Sequence, residues 1–197
     1  MLGSRDSERG AGGYSIRACS PADADQLAAL GARLFVEAYG PTHPEPELSA
    51  YLARSFDAEK IGRDLGSGDL WAHVVEDASP AMIGYATLRA SPNVPSTVHA
   101  IRPLEIQRFY VDPSWHGLGV AQALMGECVA EAVRRRSDAL WLSVWQKAPR
   151  PQAFYKRMGF QVVGTAEFYF GESIEDDFVV VRPIEPGESE SGVHRTP

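Results

Sequence analysis

The sequence predicts a mixed α/β fold. Short segments rich in aliphatic and aromatic residues alternate with segments whose apolar residues recur at helical spacing. One strongly amphipathic helix lies between two strand segments, and turn-rich connections separate other strands. A helix between two strands forms a crossover that makes the pair parallel, whereas hairpin connections join antiparallel strands. We therefore expect a central, mostly antiparallel sheet with one parallel pair, flanked by helices.

The chain of 197 residues is long enough for one domain with short tails. Residues 1–13 contain four glycines and four charged residues, and in residues 185–197 Val193 is the one aliphatic side chain. Segments of this composition bury too little apolar surface to fold, so we interpret both as flexible tails. The domain is expected over residues 14–184.

The first half of the domain is predicted to contain a strand, two or three helices and a hairpin. Ser20-Pro21 favours a helix start, and Gly40-Pro41 ends that helix. A second helical stretch breaks near Asp57 and restarts. The predicted segments are strands at 14–18, 70–75 and 82–89, with helices between 21 and 39 and between 45 and 66.

The second half is predicted to contain a crossover unit, a short helix and two final strands. Residues 91–102 show no periodic pattern and are interpreted as a loop. The crossover helix has one apolar face, formed by Ala121, Leu124, Met125, Cys128, Val129 and Ala132. The predicted segments are strands at 104–111, 139–145, 160–166 and 177–182, with helices at 119–136 and 150–158.

Composition and charge disfavour several classes of protein. The net charge of -7 argues against a nucleic-acid surface, because phosphate binding needs a basic excess. Cys19 and Cys128 form neither a metal spacing nor a disulfide framework, which is typical of a reducing, cytoplasmic location. The five histidines are scattered, so no metal site is expected. We also expect no membrane span and no signal peptide.

Two glycines mark the strand-to-helix turn before the crossover helix. Gly117 and Gly119 allow backbone N–H groups to face a ligand, and the N-terminus of the following helix favours a phosphate or pyrophosphate. A tight turn that binds nothing is the alternative. A dinucleotide fingerprint needs a third glycine where Gln122 stands, and a Walker loop needs a Gly-Lys-Ser/Thr sequence, so both phosphate motifs are disfavoured.

Two separate motifs resemble the GNAT superfamily of N-acetyltransferases. The segment 116–121, His-Gly-Leu-Gly-Val-Ala, overlaps the Gln/Arg-x-x-Gly-x-Gly/Ala loop that binds acetyl-CoA in that family. The segment 153–160, Ala-Phe-Tyr-Lys-Arg-Met-Gly-Phe, is similar to its aromatic-Tyr-x-x-x-Gly-Phe signature. The resemblance covers residues 14–184. It implies the GNAT fold, with a splayed parallel strand pair, and transfer of an acetyl group from acetyl-CoA to an amine without a metal.

The resemblance also implies roles for individual residues. Tyr155 is expected to protonate or hydrogen-bond the sulfur of CoA, and Glu105 to act as general base. The remaining positions are expected to bind the cofactor: the strand residues Phe109, Tyr110 and Val111 through their backbone, the loop residues His116, Gly117, Leu118, Gly119, Val120 and Ala121, and Arg150 and Phe154 of the short helix. The family often has an asparagine seven residues before the tyrosine, where this chain has Ala148.

The acceptor and several details stay open at the level of sequence. Period-two alternation predicts that Glu105, Gln107 and Phe109 share one face of their strand, and a surface carboxylate is the alternative role for Glu105. Residues 35–40 and 139–147 look like a bacterial branch that includes polyamine acetyltransferases, so a small amine, a polyamine or a protein amine is expected as acceptor. Glu37, Tyr39 and Tyr85 are candidate contacts. A non-catalytic CoA-binding module is the alternative function, and a homodimer is a possible assembly.

Overall fold

A computed structural model describes residues 13–42, 44–170 and 173–185. The two predicted tails lie almost entirely outside the described residues. The elements are β1 Tyr14–Ala18, α1 Ala24–Tyr39, α2 Glu45–Ser55, α3 Ala58–Ser67, β2 Trp71–Asp77, β3 Met82–Arg89, β4 Pro103–Val111, α4 Val120–Arg134, β5 Ala139–Trp145, α5 Pro149–Arg157, β6 Gln161–Phe170 and β7 Ser173–Pro183.

The strands form one seven-stranded sheet in the order β1-β2-β3-β4-β5-β7-β6. Every neighbouring pair is antiparallel except β4 and β5, which are parallel. This arrangement confirms the predicted mixed α/β class and the parallel pair on either side of the crossover helix. The final hairpin is longer than the sequence pattern indicated, because β6 and β7 extend their pairing to Phe170 and Ser173.

The parallel pair separates after a short stretch. β4 and β5 pair only from Pro103, opposite Ala139, to Glu105, opposite Trp141. β4 then continues to Val111 and β5 to Trp145 without further pairing, so a wedge opens between the two strands. This opening exposes backbone groups of both strands at the centre of the sheet.

A bulge in β4 lies at the start of this wedge. Leu88 of β3 opposes Ile106, but Thr87 opposes Arg108, so Gln107 is an extra residue in the strand. The extra residue reverses the alternation of faces, and Ile106 and Phe109 therefore both face the core beneath α4. The prediction that Glu105 and Phe109 share a face is wrong for this reason.

The two faces of the sheet bury different clusters. On one face α4 packs its predicted apolar stripe, including Leu124, Met125 and Cys128, against the central strands. On the other face α1, α2 and α3 cover the sheet, and Phe35 of α1 and Tyr51 of α2 pack against Phe170 of β6. Gly31 allows α1 to approach the sheet closely, because a Cβ atom there would clash with the hydroxyl of Tyr85 and the ring of Phe56.

Candidate functional site

A cavity of about 680 Å³ follows the opening between β4 and β5. Its walls come from the end of α1, the open edges of the two strands, the loop before α4 and one face of α5. Of the residues predicted to bind the cofactor, those that line this cavity are Phe109, Tyr110, Val111, His116, Gly117, Ala121, Arg150 and Phe154. We call this cavity the cofactor chamber.

The glycine loop presents backbone amides at the mouth of the cofactor chamber. Gly117 and Gly119 adopt φ angles of +83° and +81°, a region that favours glycine. A Cβ atom at either position would meet no atom within 4 Å, so the space beside them is open. The first helical hydrogen bond runs from the Ala123 N–H to the Gly119 carbonyl. The amides of Val120, Ala121 and Gln122 therefore precede the helical ladder and can bind an anion.

The side chains of two predicted loop residues lie outside the cofactor chamber. The side chain of Val120 is fully buried in the core beneath α4, and that of Leu118 is 56% exposed. Neither residue lines the chamber. Their predicted role in phosphate binding therefore depends on the N–H groups of the turn.

Side chains hold the loop in place from both sides. The Nε2 atom of His116 lies 2.9 Å from the carbonyl oxygen of Val111, which joins the loop to the end of β4. Asp112 accepts hydrogen bonds from the backbone N–H and the hydroxyl of Ser114. Arg33 of α1 reaches Asp112 at 2.8 Å, so α1 and the loop form one unit.

The end of β4 offers alternate backbone groups to the chamber. Asp112 donates its N–H to Ile83 of β3. Because the backbone groups of a strand alternate in direction, those of Val111 and Phe109 point toward the opening beside β5. The carbonyl of Tyr110 faces β3, where a Cβ atom on Gly84 would approach it to 2.9 Å. Tyr110 therefore does not present its backbone to the chamber, contrary to the prediction.

Tyr155 lines the cofactor chamber and is 8% exposed. Its ring packs edge to face against Phe109, Phe154 and Phe160, at centroid distances of 6.2, 5.4 and 5.6 Å. Burial raises the pKa of the phenol above its ordinary value, so the hydroxyl keeps its proton at neutral pH. A neutral phenol held rigidly at this place can donate a proton or a hydrogen bond.

One face of α5 adds positive charge to the chamber. Arg150 and Arg157 both line it, together with Phe154. Arg157 was not among the residues predicted to bind the cofactor, although its spacing of seven residues from Arg150 places both on the same helical face. Ala148 also lines the chamber, and Gln152 secures the preceding loop by donating to the carbonyls of Trp145 and Gln146, each at 2.9 Å.

A second cavity of about 370 Å³ lies on the opposite face of the same opening. Its walls combine aromatic rings with three carboxylates and one guanidinium. The aromatic residues are Phe35, Tyr39, Tyr51, Tyr110, Trp145, Phe168 and Phe170, and the charged residues are Glu105, Arg108, Glu175 and Asp177. We call this cavity the acidic chamber.

Burial perturbs two carboxylates of the acidic chamber. Desolvation raises the pKa of Glu105 above its ordinary value, against opposing effects of Ser91, Arg89 and Arg108. Desolvation, together with the charges of Glu175 and Asp176, raises the pKa of Asp177 to about 6. Carboxylates with raised pKa values in a cavity are candidates for proton transfer or for binding a cation. Asp177 was missed, because the strand pattern of β7 does not reveal that this residue is covered.

The two chambers meet where β4 and β5 separate. Tyr39, Gln107, Arg108 and Ser143 line both cavities. The guanidinium of Arg108 is turned toward α2, where it lies 3.4 Å from the Tyr51 hydroxyl and 5.3 Å from the ring centroid of Phe56. Glu37 lines the cofactor chamber, and Tyr85 lines neither cavity, since it is buried beneath α1.

Within the described ranges, no group of three or more His, Cys, Asp and Glu side chains could hold a metal ion. None of the helices in those ranges is both long and apolar enough to cross a membrane.

Comparisons with known proteins place this architecture. Residues 68–162, which include the glycine loop and Tyr155, match the family described as "Acetyltransferase (GNAT) domain". An uncharacterized N-acetyltransferase of Mycobacterium tuberculosis is 31% identical over 162 residues, which cover 82% of this chain and 98% of that protein.

Solved structures share the fold at lower sequence identity. The PaiA N-acetyltransferase of Thermoplasma acidophilum, in complex with coenzyme A, superimposes with a TM-score of 0.69 at 18% identity, covering 86% of this chain and 98% of that one. A chimera of a spermidine N-acetyltransferase from Vibrio cholerae superimposes with a TM-score of 0.63 at 21% identity, covering 87% of this chain and 95% of that one.

Proposed function

The chain belongs to the GNAT family of N-acetyltransferases, and on that premise we propose that it transfers the acetyl group of acetyl-CoA directly to a primary amine of a small, positively charged acceptor. Polyamines fall within this class of acceptor.

The observation that carries the proposal is the opposite character of the two chambers. The cofactor chamber combines helix N-terminal amides with Arg150 and Arg157, which suits the phosphates of CoA. The acidic chamber has three carboxylates against one guanidinium, which suits an ammonium group. They join at Ser143 and Gln107, so a donor in one and an amine in the other meet at the junction.

Acetyl-CoA supplies an activated acetyl thioester, and the protein must bind it, orient it and move two protons. The amides after Gly119, with Arg150 and Arg157, would hold the phosphates. The outward N–H and carbonyl of Phe109 and the outward N–H of Val111 would hold the pantetheine arm, since the Val111 carbonyl is already bonded to His116. Tyr155 donates its phenolic proton or a hydrogen bond toward the departing sulfur.

Glu105 is the candidate base on the acceptor side. An ammonium ion cannot attack a carbonyl, so its proton must leave first. The raised pKa of Glu105 makes it a better proton acceptor than an ordinary surface carboxylate. Because Glu105 lines only the acidic chamber, a water molecule is expected to relay the proton from an amine at the junction.

The test is a mixture of acetyl-CoA with a panel of primary amines, followed by free thiol release and by mass spectrometry of the products. We expect equal amounts of free CoA and N-acetylated amine, and a much slower reaction with Tyr155→Phe. Binding of acetyl-CoA without turnover for any amine would instead support the alternative, a CoA-binding module without catalysis.

A further inference from the structure

The acidic chamber contains more negative charge than one reacting amine requires. Glu105 stands near the shared part of the two chambers, level with Trp141 of β5. Glu175 and Asp177 stand on β7, where Asp177 pairs with Trp145 four residues further along β5. At roughly 3.3 Å per residue, the Asp177 end lies about 7 Å along the strand beyond Ser143 at the junction.

No described residue forms an ion pair with the carboxylate of Asp177. The residue is 7% exposed, and its carboxylate lines the chamber. Across the described part of the chain, no group donates a hydrogen bond to this carboxylate. A buried carboxylate without a donor is unfavourable by itself. A ligand that brings a positive charge to this place would supply the missing donor.

A lysine of the protein already lies at this end of the acidic chamber. Lys147 places its Nζ atom 3.7 Å from Glu175 and 5.7 Å from the centroid of the Trp145 ring, while 74% of its side chain stays exposed. The indole of Trp145 donates to the same Glu175 carboxylate at 2.6 Å. An aromatic face beside a carboxylate is the arrangement that binds an ammonium ion.

We propose that Trp145, Glu175 and Asp177 form a subsite for a second positive charge on the acceptor, so that the enzyme selects diamines over monoamines of the same length. This inference rests on the proposed function and narrows it to a substrate class. Lys147 occupies the approach to the subsite in the free protein, and the second ammonium of the substrate displaces it. The reacting amine lies at the junction and the second one about 7 Å away.

The experiment compares putrescine with n-pentylamine, which replaces one ammonium by a methyl group at nearly constant shape. For the wild type we expect kcat/KM to be at least tenfold higher for putrescine. Asp177→Asn should lower the ratio of the two values by roughly ten- to hundredfold, the loss expected for one hydrogen bond to a charged group. Asp176→Asn is the matched control, because its exposed side chain lies outside the chamber, and it should keep the wild-type ratio.

A binding measurement separates this inference from the proposed function. Calorimetric titration of the CoA-bound protein with the same two amines should show the same preference, whether or not either amine is acetylated. If both amines are acetylated with nearly equal kcat/KM values, and Asp177→Asn does not change their ratio, the proposed subsite is wrong while the proposed acetyltransferase activity stands. Equal calorimetric affinity for the two amines overturns it as well.

Discussion

Replacing Asp177 by asparagine should stabilise the protein at neutral and alkaline pH. The pKa of this carboxyl is 3.8 in its ordinary state and about 6 in the folded chain, mainly because the group is desolvated. A carboxyl with a higher pKa in the folded state binds its proton more tightly there than in the unfolded state. Folding stability therefore falls as the pH rises from 3.8 to 6, and stays reduced above that range.

The size of this effect follows from the two pKa values. The difference between about 6 and 3.8 is roughly two pH units, at about 1.4 kcal/mol each, which gives an upper bound of about 3 kcal/mol. Solvent in the chamber screens part of the charge, so we expect a gain of about 1–3 kcal/mol for Asp177→Asn at pH 8. For a chain of this size that corresponds to a rise in Tm of roughly 2 to 12 °C.

The assay is thermal or urea denaturation of the variant and the wild type at pH 8 and at pH 4. At pH 4 the folded wild type holds its proton, and the difference in free energy of unfolding should nearly vanish. Asp176→Asn, at an exposed neighbouring position, should show a much smaller gain, because it removes only the repulsion between Asp176 and Asp177 and leaves the buried carboxyl in place. A variant that is less stable than the wild type at pH 8, or equally stabilised at both pH values, would refute the reasoning.

Three further variants test separate parts of the site. Tyr155→Phe should lower kcat by roughly tenfold or more while the Kd for acetyl-CoA changes little, and steady-state kinetics with calorimetry would expose unchanged turnover. Glu105→Gln should lower kcat/KM by roughly a hundredfold and remove the rise in rate with pH that follows ionisation of this carboxyl. A plot of kcat/KM against pH with the same shape as that of the wild type would exclude Glu105 as the base. Arg33→Ala should raise the Kd for CoA about two- to fivefold, because its partly exposed pair with Asp112 steadies the loop, and an unaltered Kd would argue against that role.

Local patterns were enough to predict most of the architecture. The apolar spacing of α4 and the strands on either side of it indicated a crossover, and hence the parallel pair of β4 and β5. Gly117 and Gly119 indicated a tight strand-to-helix turn at a helix N-terminus, and in the structure both glycines of that turn have positive φ angles. These features depend on residues close together in the chain.

The features that the sequence did not reveal depend on distant contacts. The bulge at Gln107 arises from pairing with β3, so period-two alternation along β4 alone placed Glu105 and Phe109 on the wrong relative faces. Asp177 reads as a surface residue of an acidic segment, and it is buried only because β7 lies between β5 and β6 beneath the aromatic residues of α1 and α2.

Calorimetric titration with acetyl-CoA tests the central claim most directly, that the amides after Gly119 bind the cofactor's phosphates. Gly119→Ala and Gly68→Ala make a matched pair, because the two glycines have φ angles of +81° and +80° and open space beside them. Gly119 directly precedes α4 and its free amides, whereas Gly68 directly follows α3. We predict binding by the wild type and by Gly68→Ala, and at least tenfold weaker binding by Gly119→Ala. Equal affinities for the two variants, or no binding by well-folded wild type, would contradict the account.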